Sequence, residues 1–152
     1  VFSDECRKRH NFYRTRHGVS PLENDEKLRL LAKDWADKLA NLPAGTPLRH
    51  RPNNKYGENI YMAWSSDPNF RVDAKTPVDD WYNEIRSYDY AKPGFKSGTG
   101  HFTQVVWKSS THVGCAVSRS SFRNAYFVVC NYDPAGNYLG EFVKNVLRPK
   151  PY

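Results

Sequence analysis

The chain has 152 residues, 39% hydrophobic and 14% aromatic, with 23 Lys and Arg against 16 Asp and Glu for a net charge of +7. That length is enough for one domain that buries about 68–70% of its unfolded surface, and the aromatic load excludes a disordered tail. No apolar run reaches 18 residues, which excludes a membrane-crossing helix, and the opening "VFSDECRKRH" lacks the apolar centre of a signal peptide.

Beginning at Val1 rather than Met, the sequence reads as a processed or trimmed chain. The positive charge favours anionic surfaces such as acidic lipid headgroups or nucleic acid. Apart from a cluster at Arg7, Lys8, Arg9, Arg14 and Arg16, however, the basic residues are dispersed, and no nucleic-acid module is recognisable. Three cysteines, Cys6, Cys115 and Cys130, exclude a disulfide-dense scaffold and permit one bridge with one free thiol.

Ser3, Asp4 and Glu5 open a first predicted helix that runs to Gly18. Leu28, Leu31, Ala32, Trp35, Ala36 and Leu39 then recur at the spacing of a buried helical stripe, with Asn24 as the expected cap and Pro43 marking the end. A loop rich in Pro, Asn and Gly leads to a predicted strand, "NIYMAW". Thr76 as cap with Pro77 behind it starts another helix, which carries Val78, Trp81, Glu84 and Ile85. A helix over about 101–108 follows "AKPGFKSGTG". Two strands, "THVGCAVS" and "AYFVVCNYD", close the chain. If they pair as a hairpin turning around "SSFRNA", Cys115 falls opposite Cys130, within disulfide reach at about 4.5–5.5 Å between alpha carbons. In an oxidising compartment the two would bridge, and in a reducing one they are small buried residues. The order of elements predicts an α+β fold, a small antiparallel sheet covered by helices.

Signatures of several enzyme classes are missing: HExxH, GxSxG, the phosphate-binding GxxxxGK[ST] loop, GxGxxG and CxxC. What remains is a scattered set: His50 and Glu58 flanking a loop, Glu84 on a helix and His101 at a helix start. Imidazoles with carboxylates suit zinc or another borderline divalent ion, the acids serving as ligands or as partners that orient the histidines. By position alone His101 reads equally as a first-turn residue capped by Thr99 or Gly100.

The segments "GHFTQVVWKSS" and "YFVVCNYDPAGN", with "YGENIY" and "RHNFYRTRHGVSPL", resemble the CAP superfamily of cysteine-rich secretory proteins, venom antigens and pathogenesis-related proteins. Through "WYNEIRSYDYAKPGFKSGTGHFTQVVW" and "GEFVKNVLRPKP" the likeness is strongest to the Golgi-associated plant pathogenesis-related type. It spans residues 1–152 as a single CAP domain and implies an α-β-α sandwich. It also implies a cavity tetrad of His50, Glu58, Glu84 and His101, in which the histidines hold a divalent metal, zinc first. Glu58 and Glu84 are then the candidate bases for hydrolysis, although the resemblance assigns no general enzymatic activity.

The resemblance further implies a sterol-binding loop at Tyr88, Tyr90 and Phe95 in "YDYAKPGF", where flat aromatic faces beside a Pro-Gly turn can line an apolar slot. The partners expected are a sterol or other lipid, an anionic membrane surface and a second copy of the chain as a homodimer, with no nucleic acid. The "VGC" and "VCNY" cysteines resemble a bridge typical of secreted members. The expected location is therefore either extracellular or peripheral on the Golgi membrane. The function expected is lipid binding, with a metal-dependent hydrolase and a secreted allergen- or toxin-like interaction protein as the alternatives.

Overall fold

In the computed structural model, which describes residues 1–43, 45–120 and 124–151, the chain builds a four-stranded sheet with helices on both faces. Helix α1 spans Phe2–Arg16, with Asp4 and Glu5 in its first turn and Arg14 and Arg16 in its last, the polarity that complements the helix dipole. The chain leaves it through Gly18 at φ +69°. Ser3 is not the cap. Val1 holds that position, and the buried Ser3 hydroxyl instead accepts the Cys115 amide at 3.0 Å, tying the helix to the sheet.

Strand β1, Glu23–Asn24, was not predicted. Two residues carry no periodicity, and the strand exists because its backbone pairs in parallel with the chain at His112 and Val113. Asn24 is thereby taken into the sheet, and Asp25 caps helix α2, Glu26–Ala40, by accepting the Leu28 amide at 3.2 Å. Strand β2 is Gly57–Trp64. Helix α3, Lys75–Tyr82, is capped by the Asp73 carboxylate on the Thr76 amide at 2.8 Å rather than by Thr76 itself, and those bonds hold the Asp73 pKa below its usual value. Asn83–Ser87 then tightens into a 3₁₀ helix, so Glu84 lies on that turn and not within the preceding α-helix. Helix α4 is Gly100–Val105, shorter than expected. Strands β3, His112–Arg119, and β4, Ala125–Asp133, precede the short helix α5, Phe142–Asn145.

The strand order is β1-β3-β4-β2, antiparallel except at the β1 edge. β3 and β4 pair in the expected register, with Cys115 opposite Cys130 at a Cα separation of 4.1 Å and the two joined as a disulfide. The tip of the predicted turn, residues 121–123, lies outside the described residues.

Alternation along the strands sorts the core into two layers. Ile60, Ala116, Phe127 and Val129 pack under Ala32, Trp35, Ala36 and Leu39 of α2. Val113, Cys115, Val128, Cys130 and Tyr132 face α1, α3 and α4 through Cys6, Val78, Trp81 and Phe102. β4 is covered on both faces, which is why "AYFVVC" reads as a nearly continuous apolar run. Gly114 sets how closely α2 can lie: a Cβ there would stand 2.1 Å from the Arg29 amide nitrogen.

Two buried polar groups tie α1 to its neighbours on this second face. The Arg14 guanidinium is fully buried and meets no carboxylate among the described residues. It donates to the carbonyls of Ser20, Val105, Trp107 and Ser110 at 2.8–3.1 Å. Burial lowers its pKa to about 10, which leaves it charged at neutral pH. His10 donates from Nδ1 to the Cys6 carbonyl at 2.7 Å, so Nε2 must accept from the Tyr132 hydroxyl at 2.6 Å. The Tyr132 oxygen and the His101 carbonyl both receive the Asn59 amide, at 3.2 and 3.1 Å.

Replacing Arg14 with Met keeps the volume and removes a donor from four carbonyls, of which that of Trp107 still accepts the Ser110 amide. The expected loss is more than about 3 kcal/mol, read as a lower urea midpoint. His10 gives a pH test. Burial lowers its folded pKa to about 4, against 6.5 for the exposed ring, so the unfolded chain binds the proton more tightly. The His10 contribution to stability is therefore complete above pH 6.5 and is lost as the pH drops towards 4, by about 3 kcal/mol at 1.36 kcal/mol per unit. In urea titrations His10→Gln should start less stable and lose less between pH 7 and 4.5; an unchanged loss would show that His10 is not the proton acceptor.

Candidate metal and ligand cleft

The four predicted tetrad residues come from four elements of the chain. His50 lies in the loop before β2, Glu58 on β2, Glu84 on the 3₁₀ turn after α3, and His101 in the first turn of α4. β2 is an edge strand, which leaves room beside it for a cleft of about 210 Å³. His50, Glu58, Asn59, Phe95, His101 and Asn137 are among its walls. Glu84 does not line it and acts through His101.

The tetrad forms two His–Glu pairs. Glu58, 3% exposed in its side chain, accepts His50 Nδ1 at 2.7 Å, the Arg51 amide at 3.0 Å and Asn54 Nδ2 at 3.3 Å. The carboxylate bond raises the His50 pKa. Glu84 accepts His101 Nδ1 at 2.8 Å and the backbone amides of His101 and Phe102, each at 3.0 Å. It is therefore the N-terminal cap of α4, the role that the sequence suggested for Thr99 or Gly100. Trp81 stacks on the His101 ring at 6.0 Å between centroids.

A carboxylate only accepts, so each neutral imidazole donates from Nδ1 and keeps its lone pair on Nε2. Among the described residues neither Nε2 has a hydrogen-bond partner. Histidines oriented by carboxylates, with free Nε2 atoms on one cleft, are in the arrangement that prepares imidazoles as metal ligands. The donor set that this cleft offers is two imidazoles, His50 and His101. Among the described residues only Cys6, Cys115 and Cys130 form a group of three His, Cys, Asp or Glu side chains with ligand atoms within 4.8 Å of one another, and two of these are bridged.

The predicted lipid loop is only partly open. Tyr88 is buried against Phe102, with Tyr90 edge-on at 4.8 Å, and the Tyr90 hydroxyl donates to the Leu147 carbonyl at 3.2 Å. Of the three, Phe95 alone is exposed, at 53%, and its ring rests against Gly100 at the cleft wall.

Sequence reasoning missed Asn59, Asn137 and Trp81. Asn59 and Asn137 hold the α4 backbone through the carbonyls of His101 and Gly100, at 3.1 and 2.9 Å. Asn59 lies beside Glu58 within "YGENIY", where a buried Asn on a strand was the available signal. Asn137 adopts φ +62°, which "AGN" only hints at.

The sequence matches the Cysteine-rich secretory protein family, CAP, over residues 7–132. It is 40% identical to the human Golgi-associated plant pathogenesis-related protein 1 over 152 residues, covering 98% of this chain and 94% of that one. Among solved structures, BmVAL-1 superposes with a TM-score of 0.74 at 22% identity, covering 96% of this chain and 82% of that one. NaASP2, solved with Zn2+, gives 0.71 at 24%, covering 97% and 85%. At those identities the likeness is one of fold, the α-β-α sandwich.

Glu84→Ala removes the cap and is expected to lower stability by about 1–2 kcal/mol in urea unfolding. An unchanged midpoint would rule out Glu84 as the support of α4. The full-length likeness, the family match over residues 7–132 and the shared sandwich place this chain in the CAP family of cysteine-rich secretory proteins.

Proposed function

We propose that this CAP domain is a non-enzymatic protein that binds lipid at anionic membrane surfaces and whose paired histidines, His50 and His101, take a divalent ion. One observation favours binding over hydrolysis: each tetrad carboxylate is already occupied by three protein donors. Each carboxylate keeps one acceptor site, on Oε2, but Glu84 does not line the cleft, and a proton taken up by Glu58 would compete with the bonds by which it orients His50 and the Arg51 amide. A divalent ion on two imidazoles supplies a positive centre with open positions for water or a ligand oxygen, at moderate affinity. The Zn2+ with which NaASP2 was solved supports zinc as the first ion to try.

The lipid reading is supported by the net charge of +7, the exposed Phe95 and the family resemblance. Tyr88 is buried and the Tyr90 hydroxyl is tied to the Leu147 carbonyl, neither ring lines the cleft, and Phe95 is the exposed member of the three, so a membrane surface is the better-supported lipid contact. The Cys115–Cys130 bridge supports an oxidising, secreted or lumenal setting.

Calorimetric titration of zinc into chelator-free protein tests the cleft. Wild type should bind, and His101→Ala should lose at least about tenfold. Glu84→Gln is the sharper variant, because its amide NH2 must oppose either the two α4 amides or the donating Nδ1 of His101. It should fold and still lose a similar factor. Equal zinc binding by all three overturns the ion site. Vesicle flotation with phosphoinositides tests the membrane contact, and failure to float overturns it.

A further inference from the structure

The basic balance is not spread evenly over the folded surface. Residues 90–110 and 134–151 together carry six basic side chains against one carboxylate, Glu141, and so account for most of the chain's excess of seven. Glu141 is already paired with Lys144 at 2.7 Å. Lys92, Lys96, Lys108, Arg148 and Lys150 have no carboxylate within 4.0 Å among the described residues.

These two segments lie side by side. At one end the Tyr90 hydroxyl bonds the Leu147 carbonyl and the Arg148 guanidinium stands 4.8 Å over the Tyr90 ring. At the other, Phe95 packs on Gly100, whose carbonyl receives Asn137 Nδ2 at 2.9 Å, and Phe95 and Asn137 share the walls of the cleft. Between the segments the Lys108 amide donates to the Asn145 carbonyl at 3.0 Å.

The same strip carries four of the nine large apolar side chains that stay exposed among the described residues: Phe95 at 53%, Tyr138 at 56%, Leu139 at 84% and Val143 at 75%. Adjacent unpaired cations and solvated apolar side chains are the composition that suits a bilayer interface, where aliphatic and aromatic groups enter the headgroup boundary and lysines meet phosphates. Nucleic acid fits less well, because it offers no apolar phase for Leu139 and Val143.

We propose that the strip formed by residues 90–100 and 134–150 is the face by which the protein docks on an anionic bilayer, with Phe95, Leu139 and Val143 inserted and Lys92 and Lys96 on lipid phosphates. The proposal rests on the membrane reading above and specifies its orientation. Docked in this way, the Phe95 and Asn137 wall of the cleft faces the leaflet, and an ion held by His50 and His101 stands beside the lipid headgroups.

The test is co-sedimentation with vesicles of phosphatidylcholine and phosphatidylserine at 70:30, against phosphatidylcholine alone. Lys92→Glu/Lys96→Glu should weaken partition at least about tenfold, since each basic residue near the surface contributes about 1 kcal/mol. Lys8→Glu/Lys75→Glu makes the same charge change outside the strip and should weaken it less than about threefold. Phe95→Ser/Leu139→Ser/Val143→Ser should weaken partition at least about fivefold, and Leu139→Ser/Val143→Ser, whose side chains are mostly in water, should weaken it in the same direction with an unchanged thermal midpoint. If wild type ignores anionic vesicles, the membrane reading itself falls. If wild type binds and both charge reversals weaken binding equally, membrane association stands and this face is wrong. If the charge reversal on the strip matters, the apolar triple variant does not, and a DNA duplex binds as tightly, the strip is a general polyanion surface and bilayer docking is overturned.

Discussion

The buried guanidinium of Arg14 is the constraint on which the cleft depends. A fully buried cation ordinarily needs a carboxylate, and here four carbonyls replace it. Three of them, from Val105, Trp107 and Ser110, belong to the end of α4 and the turn beyond it, where a six-residue helix exposes more unpaired carbonyls than it can satisfy. The charge of α1 and the orphan acceptors of α4 solve each other's problem. Glu84 does the converse at the other end, taking the first amides of the same helix. α4 is too short to be stable by itself, and it holds His101 in place because charged side chains from two other helical segments grip both its ends.

That support explains the asymmetry between the histidines. His101 is held by its own backbone amide, by Glu84 at Nδ1, by Asn59 at its carbonyl and by the Trp81 face. His50, 69% exposed, has one side-chain bond among the described residues, to Glu58. The α4 wall of the cleft is thus the more heavily bonded, and the wall on the loop before β2 the less so. In the proposed ion site His101 would be the fixed ligand and His50 the less constrained one. The buried chain from His10 through Tyr132 and Asn59 to the His101 carbonyl extends the α4 wall into the core.

The sequence was most informative where a physical period or a cysteine pair constrained it. The α2 stripe, the β3–β4 register and the Cys115–Cys130 pairing were legible because each repeats over several residues or depends on strand alternation. Helix caps fall a few residues from the expected positions: Asp25 displaces Asn24 and Asp73 displaces Thr76, since several polar residues compete for each cap and backbone geometry decides among them. β1 and the α4 end were not legible, as both depend on partners roughly 90 residues away in the chain. The tetrad was read by resemblance. Spacing alone did not reveal that its carboxylates orient the histidines and cap a helix, since that depends on where the 3₁₀ turn delivers Glu84.

The loop at Tyr88, Tyr90 and Phe95 shows how a short aromatic pattern divides its work once folded. Tyr88 and Tyr90 pack against Phe102 and the Leu147 carbonyl, so they fasten the 90–100 segment to α4 and to the chain's last residues. Phe95 is left at the rim, beside lysines that lack acidic partners among the described residues. On the proposed docking face, anchoring of two aromatics would let the third, with its neighbouring cations, meet a bilayer with little further ordering of the loop, which lowers the entropic cost of docking. The shortage of carboxylates on this strip is the informative feature: a merely soluble surface mixes signs, whereas one that leaves cations unpaired around solvated apolar groups is suited to an anionic, partly apolar interface.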